Sequence, residues 1–294
     1  MEEYTKLLET NNGEFISVAA LEITSIPNIS ILEDDFAPTA DIENEIKFGL
    51  GNLISEVYQS YRSFSATNSS AEISLESLWL TEPVTNQPYK AKIRIFIISR
   101  AINYSENSAN EMVDRVLSSC EAALKLHKYG TQKISIGALE TAMERIEDQA
   151  IRALVKDEHI EIMQNEMLPS CYAVDRLEAS AHDLSSIVNS LIEHPYCAVS
   201  FQLTPTRFTF EENGAIAQMA QILDTLSKGV MTQGIGNVSI TAAETLSSVY
   251  KYYQAKKNNA LFNYGILIYG NSRSVEDITS KIYGHLTFDT SKAC

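Results

Sequence analysis

Two β-rich runs joined by one short turn constrain this chain more than any other feature. Glu72 to Thr81 (EISLESLWLT) and Tyr89 to Ala101 (YKAKIRIFIISRA) flank a turn carrying Pro83 and Pro88, a pattern that predicts a β-hairpin. In the second arm Lys90, Lys92 and Arg94 alternate with Ala91, Ile93 and Ile95, so one face starts out polar. From Phe96 to Ile98 the strand is apolar throughout, and it must enter a core. A hairpin with such a strand needs covering helices.

The flanking sequence supplies them. Ser108-Ala-Asn-Glu111 reads as a capping box, followed by a stripe of Met112, Val113, Val116, Leu117, Cys120, Ala123, Leu124 and His127 up to Gly130. Helical spacing also runs from Ile42 to Tyr61 behind Asp41, over 138–154 through Leu139, Met143, Ile146, Ala150 and Ala153, and behind Ser180-Ala-His-Asp183 up to Pro195. Three further capping boxes begin at Thr209, Thr241 and Ser274. Strands are expected at 14–26, 133–136, 159–168 and 171–178. Others follow at 197–203, where Cys197, Val199, Phe201 and Leu203 form one buried face, and at 261–269. Helices and strands mix without strict βα alternation. The expected class is therefore α+β, with mixed or largely antiparallel sheets covered by amphipathic helices. The lengths suit two α/β sandwich halves, 1–168 and 169–294.

Composition narrows the class of function. The 294 residues carry 23 Lys+Arg against 38 Asp+Glu, a net charge of -15. That balance argues against autonomous nucleic-acid binding, which needs surplus cations on some face. Cys120, Cys171, Cys197 and Cys294 form no CxxC and no zinc spacing with histidine, which points to a reduced, cytoplasmic setting. The opening Met-Glu-Glu-Tyr-Thr-Lys lacks the blocks of a signal peptide. No apolar run approaches the ~20 residues of a membrane span.

Catalytic signatures are sparse. No GxxxxGK[ST], GxGxxG or GxSxG occurs, so no cofactor is expected. The histidines, His127, His159, His182, His194 and His285, are not paired with any cysteine by local sequence, and Cys120 and Cys197 lie on apolar faces. Glu140, Glu144, Glu147 and Asp148 share the polar face of the helix expected at 138–154, with Asp148 spaced to pair with Arg152. No catalytic residue and no metal ligand is assigned. The remaining feature is basic: Lys90, Lys92 and Arg94 share a strand face, and with Trp79 they form the candidate partner surface.

Leu78-Trp-Leu-Thr-Glu-Pro-Val84, Pro88-Tyr-Lys-Ala-Lys-Ile-Arg-Ile-Phe-Ile97 and Ala198-Val-Ser-Phe-Gln-Leu-Thr-Pro-Thr-Arg207 together resemble the region preceding the motor in ATPases of the HerA/FtsK superfamily, particularly those of conjugative transfer and type IV secretion. The resemblance implies a non-catalytic assembly or docking region, acting as a homo-oligomer or with a protein partner. The family's ATP-binding residues belong to a motor C-terminal to such a region, and no Walker residue has a matching position here. The chain is expected to be either the front of a longer DNA-translocating ATPase or a free-standing relative of that front. A stand-alone interaction domain, or an enzyme of unrecognised class with a site between the halves, is the alternative.

Overall fold

The computed structural model describes residues 4–26, 57–59, 61–63, 72–146, 150–154, 185–228, 244, 247–248, 250–251, 254–255 and 261–286. The strands are β1 (Thr5–Glu9), β2 (Phe15–Ser25), β3 (Glu72–Val84), β4 (Gln87–Asn103), β5 (Gly130–Ile134), β6 (Ala150–Leu154), β7 (Ala198–Thr206) and β8 (Leu261–Gly270). The helices include α1 (Glu106–Leu126), α2 (Ile136–Met143), α3 (Ser185–Glu193), α4 (Phe210–Ser227) and α5 (Ser272–Leu286), and residues 57–59 and 61–63 are helical as well. The class is α+β. The strands form one eight-stranded sheet in the order β1-β2-β4-β3-β7-β8-β6, with β5 also on β2.

The expected hairpin is its centre. β3 pairs antiparallel with β4 from Glu72↔Ile102 to Pro83↔Ala91, and Thr85-Asn86 alone make the turn. Pro83 lies inside the strand, at the register shift before Val84, where a missing ladder hydrogen bond is tolerated. On the outer side of β4, β2 carries two short partners on one edge: β1 pairs with residues 15–19 and β5 with residues 20–25. On the other side β7 joins β3 antiparallel, from Leu75↔Leu203 to Leu80↔Ala198. Strands from both sides of residue 168 thus share a sheet, and β7 and β8 extend the hairpin rather than building a sheet of their own. The expected boundary near 168 lies outside the described residues.

Alternation sorts the side chains onto two faces. On one, Ala19, Leu21, Ile73, Leu75, Ile97 and Ala101 pack under Met112, Val113, Val116, Leu117, Cys120 and Leu124 of α1. On the other, Ala20, Leu78, Leu80, Phe96, Ile98 and Ala198 meet Ile134 and α2 residues Ile136, Leu139 and Ala142. The α1 stripe is as the spacing predicts, but its cap is not. Ser105 caps the helix, its Oγ accepting from the Ser108 amide at 3.4 Å, and Lys128, not a glycine, takes the left-handed backbone after it (φ 63°).

The helix expected over 138–154 ends at Met143, and Ala150 to Leu154 form β6, antiparallel to β8. Arg152 is therefore on a strand, where helical i,i+4 pairing does not apply; Glu147 and Asp148 lie outside the described residues. β7 is covered on both faces at its start, since Ala198, Val199 and Ser200 are all buried. The Thr209 capping box forms as predicted: the Thr209 amide donates to Glu212 Oε2 (2.6 Å), and the Glu212 amide to Thr209 Oγ1 (3.1 Å). At α5 the cap is Asn271, whose Oδ1 accepts from the Ser274 amide at 3.0 Å. The strands expected at 159–168 and 171–178, most of the helix at 42–61 and the Ser180 cap lie outside the described residues.

Two compact units divide the chain: Met1–Leu154, Asp183–Pro205 and Phe262–Ile282 in one, and Val155–His182, Thr206–Leu261 and Tyr283–Cys294 in the other. The first contains the sheet core. In the second, Asp224 on α4 binds Lys228 and Lys251, and these bonds, Lys228's above all, hold its carboxyl down to about 2.

Candidate functional site

Two neighbours on β3 point to opposite faces and build one groove. Thr81 holds the turn 194–197 that leads into β7. Its Oγ1 donates to His194 O (2.7 Å) and accepts from the Cys197 amide (2.8 Å). Its own amide donates to Cys197 O (2.9 Å), and its carbonyl accepts from the Tyr196 amide (3.0 Å). So fixed, Tyr196 adopts a left-handed backbone at φ 64°, uncommon for a residue with a side chain.

Glu82, on the other face, gathers cations. Arg94 grips Glu22 of β2 through Nε (2.7 Å) and Nη2 (2.9 Å) and reaches Glu82 Oε1 with Nη1 (2.9 Å). Lys92 Nζ meets Glu82 Oε2 at 3.0 Å, and Arg145, just past α2, stands 3.9 Å from Oε1. Register explains the row: Glu82 pairs with Lys92 and Leu80 with Arg94, so same-face neighbours alternate in charge across three strands. The Arg94 guanidinium also lies 4.9 Å from the centre of the Phe96 ring. Burial by itself would raise the Glu82 carboxyl, but the hydrogen bonds from Arg94 and Lys92 outweigh it and hold the group below its ordinary range. The Glu22 hydrogen bonds, in turn, raise Arg94 further above its ordinary value.

Between these walls lies an open groove of about 520 Å³, lined by Glu82, residues 83–85, Lys92, Arg145 and Tyr196. Of the expected surface residues, Lys92 and Arg94 meet at Glu82, and Lys90 is exposed farther along the same strand. Trp79 does not join them. Paired with Ile95, it lies on the opposite face, half-buried edge-on against Phe201 (5.4 Å), with Nε1 donating to Ser77 Oγ at 2.9 Å. Arg94, half-buried between Glu22 and Glu82, is a strut more than a contact. Sequence reasoning missed Glu22, Glu82, Arg145 and Tyr196. The period-2 placement of Glu82 after Leu78 and Leu80 was a signal for one of them, whereas Arg145 was masked by the overlong helix.

A second polar constellation ties α3 to α5. Ser274 Oγ is 3.2 Å from His194 Nδ1, His194 Nε2 is 3.2 Å from Asp277 Oδ2, and Ser190 Oγ donates to the same carboxylate at 2.5 Å. The Ser190 hydrogen bond, aided by His194, holds Asp277 below the usual carboxylate range against the opposing effect of burial. The order serine, histidine, aspartate invites comparison with a nucleophile, its base and an orienting acid. Access runs the wrong way for that chemistry. Ser274 is 3% exposed and its hydroxyl donates to Asn271 Oδ1 at 2.9 Å, while the Asp277 side chain is 41% exposed. The solvent-facing group is the acid, so the network joins two helices.

A third cluster is buried in the sheet face opposite α1. Glu76 accepts from Ser200 Oγ (2.6 Å) and pairs with Arg100, and Gln202 Nε2 donates to Ser200 Oγ (3.1 Å). Burial first, and Glu76 second, push the nearby Tyr269 hydroxyl up. Among the described residues no three His, Cys, Asp or Glu side chains are grouped to hold a metal, and no helix is long and apolar enough to cross a membrane. No protein-family model and no curated protein matches this chain.

Proposed function

We propose that the chain is a non-catalytic assembly and docking region of the kind that precedes the motor in HerA/FtsK-like DNA-translocating ATPases, working in the cytoplasm as a homo-oligomer or on a protein partner. The observation that carries the reading is where the three resembling stretches lie. Leu78–Val84, 88–97 and 198–207 run along adjacent strands β3, β4 and β7, and the open groove lies where β3 turns into β4 and the 194–197 turn enters β7. In this reading contact, and not chemistry, is the task of the surface. The net charge of -15 leaves DNA to be handled elsewhere.

Two measurements on the full chain test it. Light scattering is expected to give a mass above that of the monomer, or a complex with a partner, and calorimetric titration with Mg-ATP is expected to give no saturable heat at tens of micromolar nucleotide. A tight one-to-one ATP isotherm would rule the reading out.

A further inference from the structure

We propose that the groove beside the β3–β4 turn receives an acidic protein segment, one carboxylate seated between Lys92 and Arg145 and an apolar side chain against Tyr196 and Val84. The inference rests on the docking reading and names its partner class.

Charge leads the argument. Two cations and one carboxylate line the groove. Both Glu82 oxygens are already engaged, Oε1 by Arg94 at 2.9 Å and Oε2 by Lys92 at 3.0 Å. Arg145, at 3.9 Å, is beyond hydrogen-bond reach of that carboxylate, and its side chain is 62% exposed. Its planar fork suits a bidentate carboxylate, and Lys92, 61% exposed on the other side of Glu82, supplies a second positive charge. A carboxylate from outside would balance two cations with two anions. Behind this spot Glu22 and Arg94 neutralise each other. On a protein of charge -15, a locally cationic groove also decides where an acidic segment can land, because the rest of the acidic surface repels it.

Backbone geometry adds independent support. Tyr196 holds φ 64°, a conformation glycine takes at no steric cost, yet the position carries a phenol ring that faces the groove and leaves the residue 38% exposed. The Thr81 hydrogen bonds fix the backbone that carries the Tyr196 side chain before any partner arrives, which lowers the ordering cost of docking. Val84, 36% exposed at the end of β3, completes an apolar contact that a bare inorganic anion cannot use.

The test is fluorescence anisotropy of the full chain with a fluorescein-labelled heptapeptide, GDLEDFG, at low and moderate salt. Binding should weaken as salt rises. K92E/R145E should weaken it at least about tenfold. Y196G should weaken it several-fold while Tm stays within about 2 °C, because glycine accepts the same backbone. Equal affinity in the wild type and K92E/R145E overturns the proposal. So does inorganic phosphate displacing the peptide at millimolar concentration while Y196G binds normally, which would make the groove a simple anion spot. Loss of this inference alone, with the oligomer or partner complex intact in light scattering, leaves the docking reading standing; a tight ATP isotherm removes that reading whatever the peptide does.

Discussion

Beneath α1 the sheet presents Ala19, Leu21, Ile73, Leu75, Ile97 and Ala101 to an apolar helix stripe, whereas the opposite face sets Glu22, Glu76, Glu82, Arg94 and Arg100 beside its own apolar cluster around Leu80 and Phe96. The covering helices differ in proportion: α1 has 21 residues and α2 only 8. Burial is the main source of stability on the first face, at roughly 1.5–3 kcal/mol for each fully buried large aliphatic side chain. The second face is suited to specifying alignment. A slip of one residue between β3 and β4 would put Glu82 and Arg94 on opposite faces, one of them turned toward the α1 core, so the ion row penalises wrong registers.

The largest expected effect breaks the apolar side. Leu117→Ala, at a position 1% exposed, should cost about 3 kcal/mol in urea unfolding. A loss below about 1 kcal/mol would mean that α1 is not the anchor described above. Next comes the ion row: Arg94→Met leaves Glu22 and Glu82 without their shared partner and should cost about 2 kcal/mol. The triple change E22Q/E82Q/R94M should recover at least half of that loss, because it removes the stranded charges as well. If the triple variant stays as unstable as R94M, the row contributes net stability and not alignment alone.

Smallest is the response to acid. Glu82 is held below its ordinary value of 4.5, so the stability it contributes is complete above that pH and is lost as pH falls through its lower folded value. Melting curves should therefore drop more steeply below about pH 4.5 in the wild type than in E82Q. Asp277, also lowered, leaves E82Q a residual slope. L117A should shift the whole profile down without changing its shape, which separates the two faces in one experiment.

What could be read in advance follows the range of the forces. The hairpin, the α1 stripe and the reciprocal Thr209–Glu212 cap depend on residues close in sequence, and all three appear as expected. The caps at Ser105 and Asn271 were displaced because the serines chosen, Ser108 and Ser274, lie three residues inside the helix and donate the amide instead of receiving it. At 138–154 the spacing of small apolar residues fits a helix, but Ala150 to Leu154 hydrogen-bond to β8, over a hundred residues away. Half the site failed for the same reason. Lys92 and Arg94 were visible as an alternating pair, but Arg94's partner Glu22 comes from a strand 72 residues earlier, and Tyr196 reaches the groove through Thr81, again a distant residue.

Two buried thiols turn this architecture into a pair of clocks. Cys120 is sealed under α1, and Cys197 at the mouth of β7, with neither residue exposed at all. Cys197 is confined further by Gly270, where even a methyl group would come within 2.7 Å of its sulfur. An alkylating reagent reaches the first thiol only when the helix lifts from the sheet, and the second only when the chain around β7 and the end of β8 parts. With Cys171 and Cys294 replaced by serine, the two labelling rates would time the opening of the apolar face and of the groove's own support separately.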